Sequence, residues 1–369
     1  MILISSILLL FYVSLILAYF VAWKRIAYYK YVEPDTHQTF SILVAMRNEE
    51  AVVFDCLTSV INQQYPTASF EVIVIDDHST DGTSAEVNRF IAIHPNCPVR
   101  LLHMENDPLK GRKKKASITY GISQATGSFI ILTDADCVRG RNWLSTINSF
   151  IVHTQSKMIY APVLFKAKTL FEKLQSLEFA GLVAIGGAAI EIKNPNMCSA
   201  SNLIFEKAVF YEVDGYAGSE NIASGDDEYL LHKVFKKHPD HIHFLKHRDA
   251  IVTTAANTTI VELINQRRRW VSKSTKYDSW HITAILVAAY IFNLSIVLNL
   301  IFNPLTGLCL LCIKALTEGL FLYDVLKFFK RKTYILFLPL AEPFHILYVL
   351  IIGIWANIGT YNWKGRDVK

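Results

Sequence analysis

The sequence predicts an α/β domain built on a mostly parallel sheet and flanked by helices long enough to cross a membrane. Three observations carry this. Between Thr39 and about Thr253, short apolar runs alternate with helical stretches, the pattern of βαβ crossovers. Outside that region the chain becomes almost continuously apolar, and at 52% hydrophobic residues with mean hydropathy +0.28 the whole is too apolar for one soluble domain. Finally, Ile130-Ile131-Leu132-Thr133 reads as a buried strand closed by Asp134-Ala135-Asp136-Cys137. This places two carboxylates at a strand's carboxyl end, where open α/β sheets bind ligands.

The elements follow in order. Ile2 to Trp23 is an uncharged apolar run able to cross roughly 30 Å of hydrocarbon. Lys24, Arg25 and Lys30 follow it, so it reads as an uncleaved anchor whose carboxyl end lies in the cytoplasm. Phe40 to Met46 is a first strand, with a helical stretch to Gln64 ahead of Pro66. Glu71 to Ile75 is the second strand, Pro98 to His103 the third and Phe129 to Thr133 the fourth. Leu170 to Ile190 is helical and mostly apolar. The segments His281 to Phe302, Pro304 to about Phe328 and Tyr334 to about Ile358 read as further membrane segments. Lys327, Lys330, Arg331 and Lys332 put one connection in the cytoplasm, whereas Pro339, Glu342 and Pro343 leave the last crossing open. Glu318 and Asp324 are expected to face protein or water. The resulting division is an anchor over 1–23, a cytoplasmic domain over 39–280 with halves 39–137 and 138–280, and a membrane region over 281–358.

Net charge is +5, and the basic residues cluster near 110–115, 265–277 and 327–332. Such clusters favour a membrane surface and an anionic ligand over nucleic acid. The six cysteines show no zinc-like spacing in the polar part, and Cys309 and Cys312 lie in an apolar run, as packing residues of a reduced protein do.

Several polar segments fall at the expected carboxyl edge. Asp134 and Asp136 are oxygen ligands suited to Mg²⁺ or Mn²⁺, although an Asx turn is the simpler use of the same residues. Lys110 to Ala116 puts basic side chains before a helix, where point charges and free N–H groups both attract phosphate; a solvated basic loop is the other reading. Ser224-Gly225-Asp226-Asp227-Glu228 opens a helix, and its acids also suit the helix dipole. On a helix, Gln266, Arg269 and Trp270 share a face, pairing a planar cation with an indole.

Ser41 to Glu50, Asp76 to Thr83 and Asp134-Ala135-Asp136 resemble the successive nucleotide-sugar motifs of family 2 glycosyltransferases, in order and spacing, over about Thr39 to Trp270. The resemblance implies a GT-A, Rossmann-like fold and an inverting transfer from a nucleoside-diphosphate sugar, UDP-linked in the related enzymes. It implies that Glu49 and Asp77 contact the nucleoside, that Asp134 and Asp136 meet metal and diphosphate, and that Lys114, or Lys113, faces the donor. Asn202 then lines the acceptor site and Asp227 is the general base. Gln266-Arg267-Arg268-Arg269-Trp270 reproduces the Gln-x-x-Arg-Trp element of cellulose, hyaluronan, chitin and poly-N-acetylglucosamine synthases. The implied partners are a nucleotide sugar, a glycan or lipid acceptor and membrane lipids, at the plasma or inner membrane. Transfer of a single sugar to a lipid is the alternative within the class. A nucleotidyltransferase and a non-catalytic membrane scaffold are the alternatives outside it.

Overall fold

The computed structural model describes residues 2–104, 114–219, 225–274, 280–355, 361–363 and 366–368. Lys110 to Lys113, Ser224 and Lys276 lie outside the described residues. Helix α1 (Ile2–Arg25) is followed by a strict alternation of β1 (Phe40–Met46), α2 (Val53–Ile61), β2 (Phe70–Asp76), α3 (Thr83–Ile93), β3 (Val99–His103), α4 (Lys114–Gln124) and β4 (Phe129–Thr133). Next come β5 (Val138–Arg139), α5 (Trp143–Thr154), β6 (Met158–Tyr160), β7 (Val163–Lys166), α6 (Leu170–Glu191) and β8 (Leu203–Glu206). Then follow α7 (Lys207–Glu212), α8 (Asp226–Lys237), β9 (Ile242–Phe244) and β10 (Val252–Ala255). Helices α9 (Ile260–Ser274), α10 (Trp280–Phe302), α11 (Pro304–Phe328) and α12 (Leu338–Trp355) precede a short hairpin of β11 (Tyr361–Trp363) and β12 (Arg366–Val368).

The chain forms two compact units. One comprises residues 26–166 and 189–255; the other comprises 1–25, 167–188 and 256–369. In the first, a seven-stranded sheet has the order β3-β2-β1-β4-β8-β6-β9. Strands β3, β2, β1 and β4 run parallel, with Met46 opposite Asp76 and Val44 opposite Thr133, so their carboxyl ends form one edge. Such a sheet is covered on both faces, which is why β1, β2 and β4 read as unbroken apolar runs. Ile42, Val44, Val72, Val74 and Ile131 are buried with Phe90, Trp143 and Ile147 in one core. Each of these larger side chains contributes about 1.5–3 kcal/mol on burial. Strand β8 then joins β4 antiparallel, and β6 pairs with β8 antiparallel. A smaller sheet, β5-β10-β7, sets Thr253 opposite Val138 just beyond the end of β4.

In the second unit α1 packs on α10 and α11. Tyr12 and Phe292 lie 4.7 Å apart between ring centroids, and Asn299 Nδ2 donates to Ser5 Oγ at 2.9 Å. Lys314 is fully buried between Glu318, at 2.7 Å, and Glu342, at 2.5 Å, and Tyr12 also donates to Glu318. Glu318 therefore faces protein, as expected of an ionisable group in an apolar helix. Asp324 pairs with Lys24 at 3.1 Å. Among the described residues α1, α6, α10, α11 and the stretch 332–355 are long and apolar enough to cross a membrane. Most of α6 is buried within the protein. Residues 332–337 form a 3₁₀ turn, and Pro343 sits inside α12.

Candidate active site

Turns at the carboxyl edge of the sheet assemble the first part of the site. Asp77 is buried and its backbone N–H donates to Met46 O at 2.9 Å, tying the end of β2 to the end of β1. Arg47 Nη1 donates to Asp77 O at 2.9 Å and to His78 O at 2.8 Å, while His78 Nδ1 lies 3.0 Å from Asp77 Oδ1. Asp76 accepts from Ser79 N–H at 2.9 Å and from the Ser84 hydroxyl. Asp81 accepts from Thr83 N–H at 3.0 Å, so the turn-forming use of these acids and their place at the edge coexist. Glu49 is half-buried, and its N–H donates to Thr83 Oγ1 at 2.8 Å. An open cavity of ≈ 410 Å³ is lined by Asn48, Glu49, Glu50, Ala51, Val52 and Asp81. It sits beside the β1 turn rather than around Asp134 and Asp136.

After β4 the two carboxylates each find a hydroxyl partner. Asp134 Oδ2 accepts from Ser201 Oγ at 2.5 Å and Oδ1 from Lys114 Nζ at 2.9 Å. Asp136 Oδ2 accepts from Thr254 Oγ1 at 2.6 Å. Ligand atoms of Asp134, Asp136 and Cys137 lie within 4.8 Å of one another, and both acids are half-exposed while Cys137 is buried. Burial, and then the neighbouring Asp136 and Asp134 charges, push the Cys137 thiol well above its ordinary range. It therefore stays a neutral thiol, unsuited as a hard-ion ligand. Two half-exposed carboxylates with their remaining bonds from a hydroxyl and a lysine fit a hard divalent cation whose other positions go to water and phosphate.

The α8 amino end adds the third part. Gly225 adopts φ +81°, a left-handed turn that opens the helix and is open to glycine without strain. Asp226 and Glu228 are buried, and Asp227 between them is half-exposed. Asp227 Oδ2 accepts from Ala200 N–H at 3.1 Å and Oδ1 from Glu228 N–H at 2.9 Å. Lys114 Nζ is 4.0 Å from Asp226. Burial alone works to lower the Lys114 pKa, but the charges of Asp134 and Asp226 outweigh it and raise it above the usual lysine value. Lys114 thus stays cationic and joins the Asp134 loop to the acids of α8. Lys115 points elsewhere, donating to Ser219 O at 2.7 Å and lying over the Tyr229 ring.

Asn202 differs from expectation. It is fully buried, its Oδ1 accepts from Trp143 Nε1, and its Nδ2 donates to Pro162 O and Ala250 O. Its carboxamide is a strut inside the sheet unit, and its neighbour Ser201 is the residue that reaches Asp134. Ser201 and Thr254 have no sequence signal of their own, because a hydroxyl carries no distinctive spacing; only the adjacency of Ser201 to Asn202 points there. Gln266, Arg269 and Trp270 lie on α9 of the other unit. There Trp270 packs beside Phe179, with centroids 5.8 Å apart, and under the Arg267 guanidinium at 4.1 Å.

The parallel sheet, the acidic carboxyl edge and the lysine beside it define the class: an α/β protein with a candidate cation and anion site at that edge. Residues 41–213 match the family model for glycosyl transferase family 2, which supports assigning this region to that family. Glycosyltransferase AglE of Haloferax volcanii is 30% identical over 104 residues, 28% of this chain and 32% of that protein. Beta-monoglucosyldiacylglycerol synthase of Nostoc sp. is 36% identical over 98 residues, 27% of this chain and 18% of that protein. The matches thus span about a third or less of these relatives. The solved structure of a mannosyltransferase from Pyrobaculum calidifontis in complex with GDP-Man and Mn²⁺ superposes with a TM-score of 0.60 at 18% identity. It covers 96% of this chain and 99% of that one, and identifies the fold as GT-A.

Proposed function

We propose that the protein is a membrane-bound, inverting, metal-dependent glycosyltransferase with its 39–280 region cytoplasmic. It moves a sugar from a nucleoside-diphosphate donor, UDP-linked by the family resemblance, to a glycan or lipid acceptor. The observation that carries this reading is the cluster in the sheet unit in which Lys114 Nζ lies 2.9 Å from Asp134 and 4.0 Å from Asp226, with Asp136 within 4.8 Å of Asp134 and Asp227 next to Asp226 along the chain. The family match supports sugar transfer, and the Mn²⁺ bound by the Pyrobaculum mannosyltransferase supports a divalent cofactor here. The Nostoc relative, by its name, makes a glucosylated diacylglycerol, which supports an acceptor carried by the membrane.

Asp134 and Asp136 would hold Mg²⁺ or Mn²⁺, with Ser201 and Thr254 fixing their rotamers. A bound divalent cation supplies Lewis-acid neutralisation of the diphosphate. Glu49 and Asp77 offer carboxylates to ribose hydroxyls or a base N–H. Lys114 adds positive charge where the leaving diphosphate gathers negative charge. Asp227 is oriented by two backbone N–H groups, and as the acceptor oxygen bonds to C1 and the C1–diphosphate bond breaks, it takes the acceptor's proton. Gln266, Arg269 and Trp270 serve substrate binding by resemblance.

The test incubates the full chain in lipid with UDP-glucose, UDP-N-acetylglucosamine and GDP-mannose. Released nucleoside diphosphate and a sized glycosylated product are expected, abolished by EDTA and restored by Mn²⁺ or Mg²⁺. Transfer of nucleoside monophosphate would select a nucleotidyltransferase, and full activity in chelator would remove the metal role.

A further inference from the structure

The Gln266 side chain is held in one orientation by groups that leave no choice of atom. Arg267 is 1% exposed; its Nη2 donates to Glu178 Oε2 at 2.7 Å and its Nη1 to Gln266 Oε1 at 2.9 Å. A guanidinium carries donors only, so the end of the Gln266 amide turned toward it is the oxygen. Asn257 Nδ2 donates to that same oxygen at 2.9 Å. The orientation of Asn257 is fixed independently, because Gln175 Oε1 accepts from the Asn257 backbone N–H at 3.1 Å and from Asn257 Nδ2 at 3.1 Å. A backbone N–H is also donor-only, so the oxygen of Gln175 and then the nitrogen of Asn257 follow in turn. Gln175 Nε2 closes the ring by donating to Asn257 O at 2.9 Å. Both bonds that Gln266 receives end on its oxygen, which leaves the NH₂ as its donor end.

We propose that Arg267 and Glu178 are positioning residues that present the Gln266 NH₂ as a fixed hydrogen-bond donor to a ligand oxygen, either a phosphate or a sugar hydroxyl. This rests on the glycosyltransferase reading. A buried arginine is costly unless paired, and Glu178 supplies that pairing from α6. Its planar fork grips two partners at once, which a single ammonium does not. The guanidinium also lies over the Trp270 ring, 4.1 Å from its centroid.

The test uses the full chain in lipid nanodiscs with whichever of UDP-glucose, UDP-N-acetylglucosamine or GDP-mannose the wild type consumes. Gln266→Glu keeps both accepted bonds and removes the donor. It is expected to lower kcat/KM on the order of 10-fold with the unfolding midpoint retained. Arg267→Lys is expected to lower kcat/KM in the wild-type background and not further in Gln266→Glu, because it acts through that amide. Glu178→Gln keeps an acceptor for Arg267 but removes the charge that pairs it, and is expected to lower kcat/KM in the wild-type background and not further in Gln266→Glu. A raised KM for the nucleotide sugar together with weaker inhibition by the free nucleoside diphosphate identifies a phosphate oxygen, and a raised KM for the donor or the acceptor with that inhibition unchanged identifies a sugar hydroxyl. An active wild type with unchanged kcat/KM in Gln266→Glu, or with additive losses, overturns this assignment alone. A wild type that consumes none of the three donors counts against the glycosyltransferase reading itself.

Discussion

At the scale of single residues, three neighbouring acids have different surroundings. Asp226 and Glu228 are buried, whereas Asp227 is half-exposed with its two oxygens oriented by backbone N–H groups. A general base needs access to its proton and a fixed lone pair, and of the three Asp227 has both. Asp227→Asn keeps the size of the side chain and removes its basicity. Turnover is expected to fall by a factor on the order of 10²–10⁴, with donor affinity little changed. Steady-state kinetics on the folded variant check this. Near-normal turnover would end this assignment and move the base to Asp226 or Glu228; if Asp226→Asn is also near normal, the acids of α8 serve the helix dipole alone.

At the scale of elements, Glu71 clasps the strand ends opposite the site. Its carboxylate accepts from Ser41 Oγ at 2.6 Å, from Thr126 N–H at 2.6 Å and from Arg100 at 3.1 Å, connecting β1, β2, β3 and the turn before β4. Burial works to raise the Glu71 pKa, but the hydrogen bonds from Ser41 and Thr126 and the Arg100 charge outweigh it and hold it below the ordinary value. A depressed carboxylate contributes stability that is complete above the unfolded pKa of about 4.3 and is lost as pH falls through the lower folded value. Glu71→Gln is therefore expected to lower the unfolding midpoint at pH 7 and to flatten its decline below about pH 4. Thermal unfolding at a series of pH values measures both. A variant whose acid slope matches that of the wild type would show that Glu71 is not the group responsible.

At the scale of the whole molecule, the helical unit holds charges where an apolar bundle is expected. Lys314 is fully buried between Glu318 and Glu342. Removing one partner of such a cluster leaves uncompensated charge, which costs about 3–5 kcal/mol. Lys314→Met is expected to lower the unfolding midpoint strongly, and adding Glu318→Gln to recover part of the loss, both read by thermal unfolding in detergent. A Lys314→Met protein as stable as wild type would show that the cluster contributes nothing to the bundle. For topology, cysteines placed in 39–280 are expected to resist a membrane-impermeant reagent in intact cells; labelling from outside would reverse the proposed orientation.

Local pattern was enough for some features. Alternating apolar and helical runs determined β1 to β4 and their common edge, because a parallel strand buried on both faces needs continuous hydrophobicity. The two acids after β4 and the apolar length of α1 were legible for similar reasons, each being a property of adjacent residues. Other features depend on where distant segments return. The antiparallel entry of β8 beside β4 has no local signature, and with it come Ser201 against Asp134 and the burial of Asn202. Thr254 reaches Asp136 from 118 residues away, and Arg267 is buried because Glu178, 89 residues earlier, neutralises it. Sequence by itself determined which strands and acids were present, since periodicity and apolar length act over a few residues. Tertiary structure decided which side chains those acids meet and which way the Gln266 amide points, since a hydrogen bond depends on distance and direction between segments that sequence spacing does not relate.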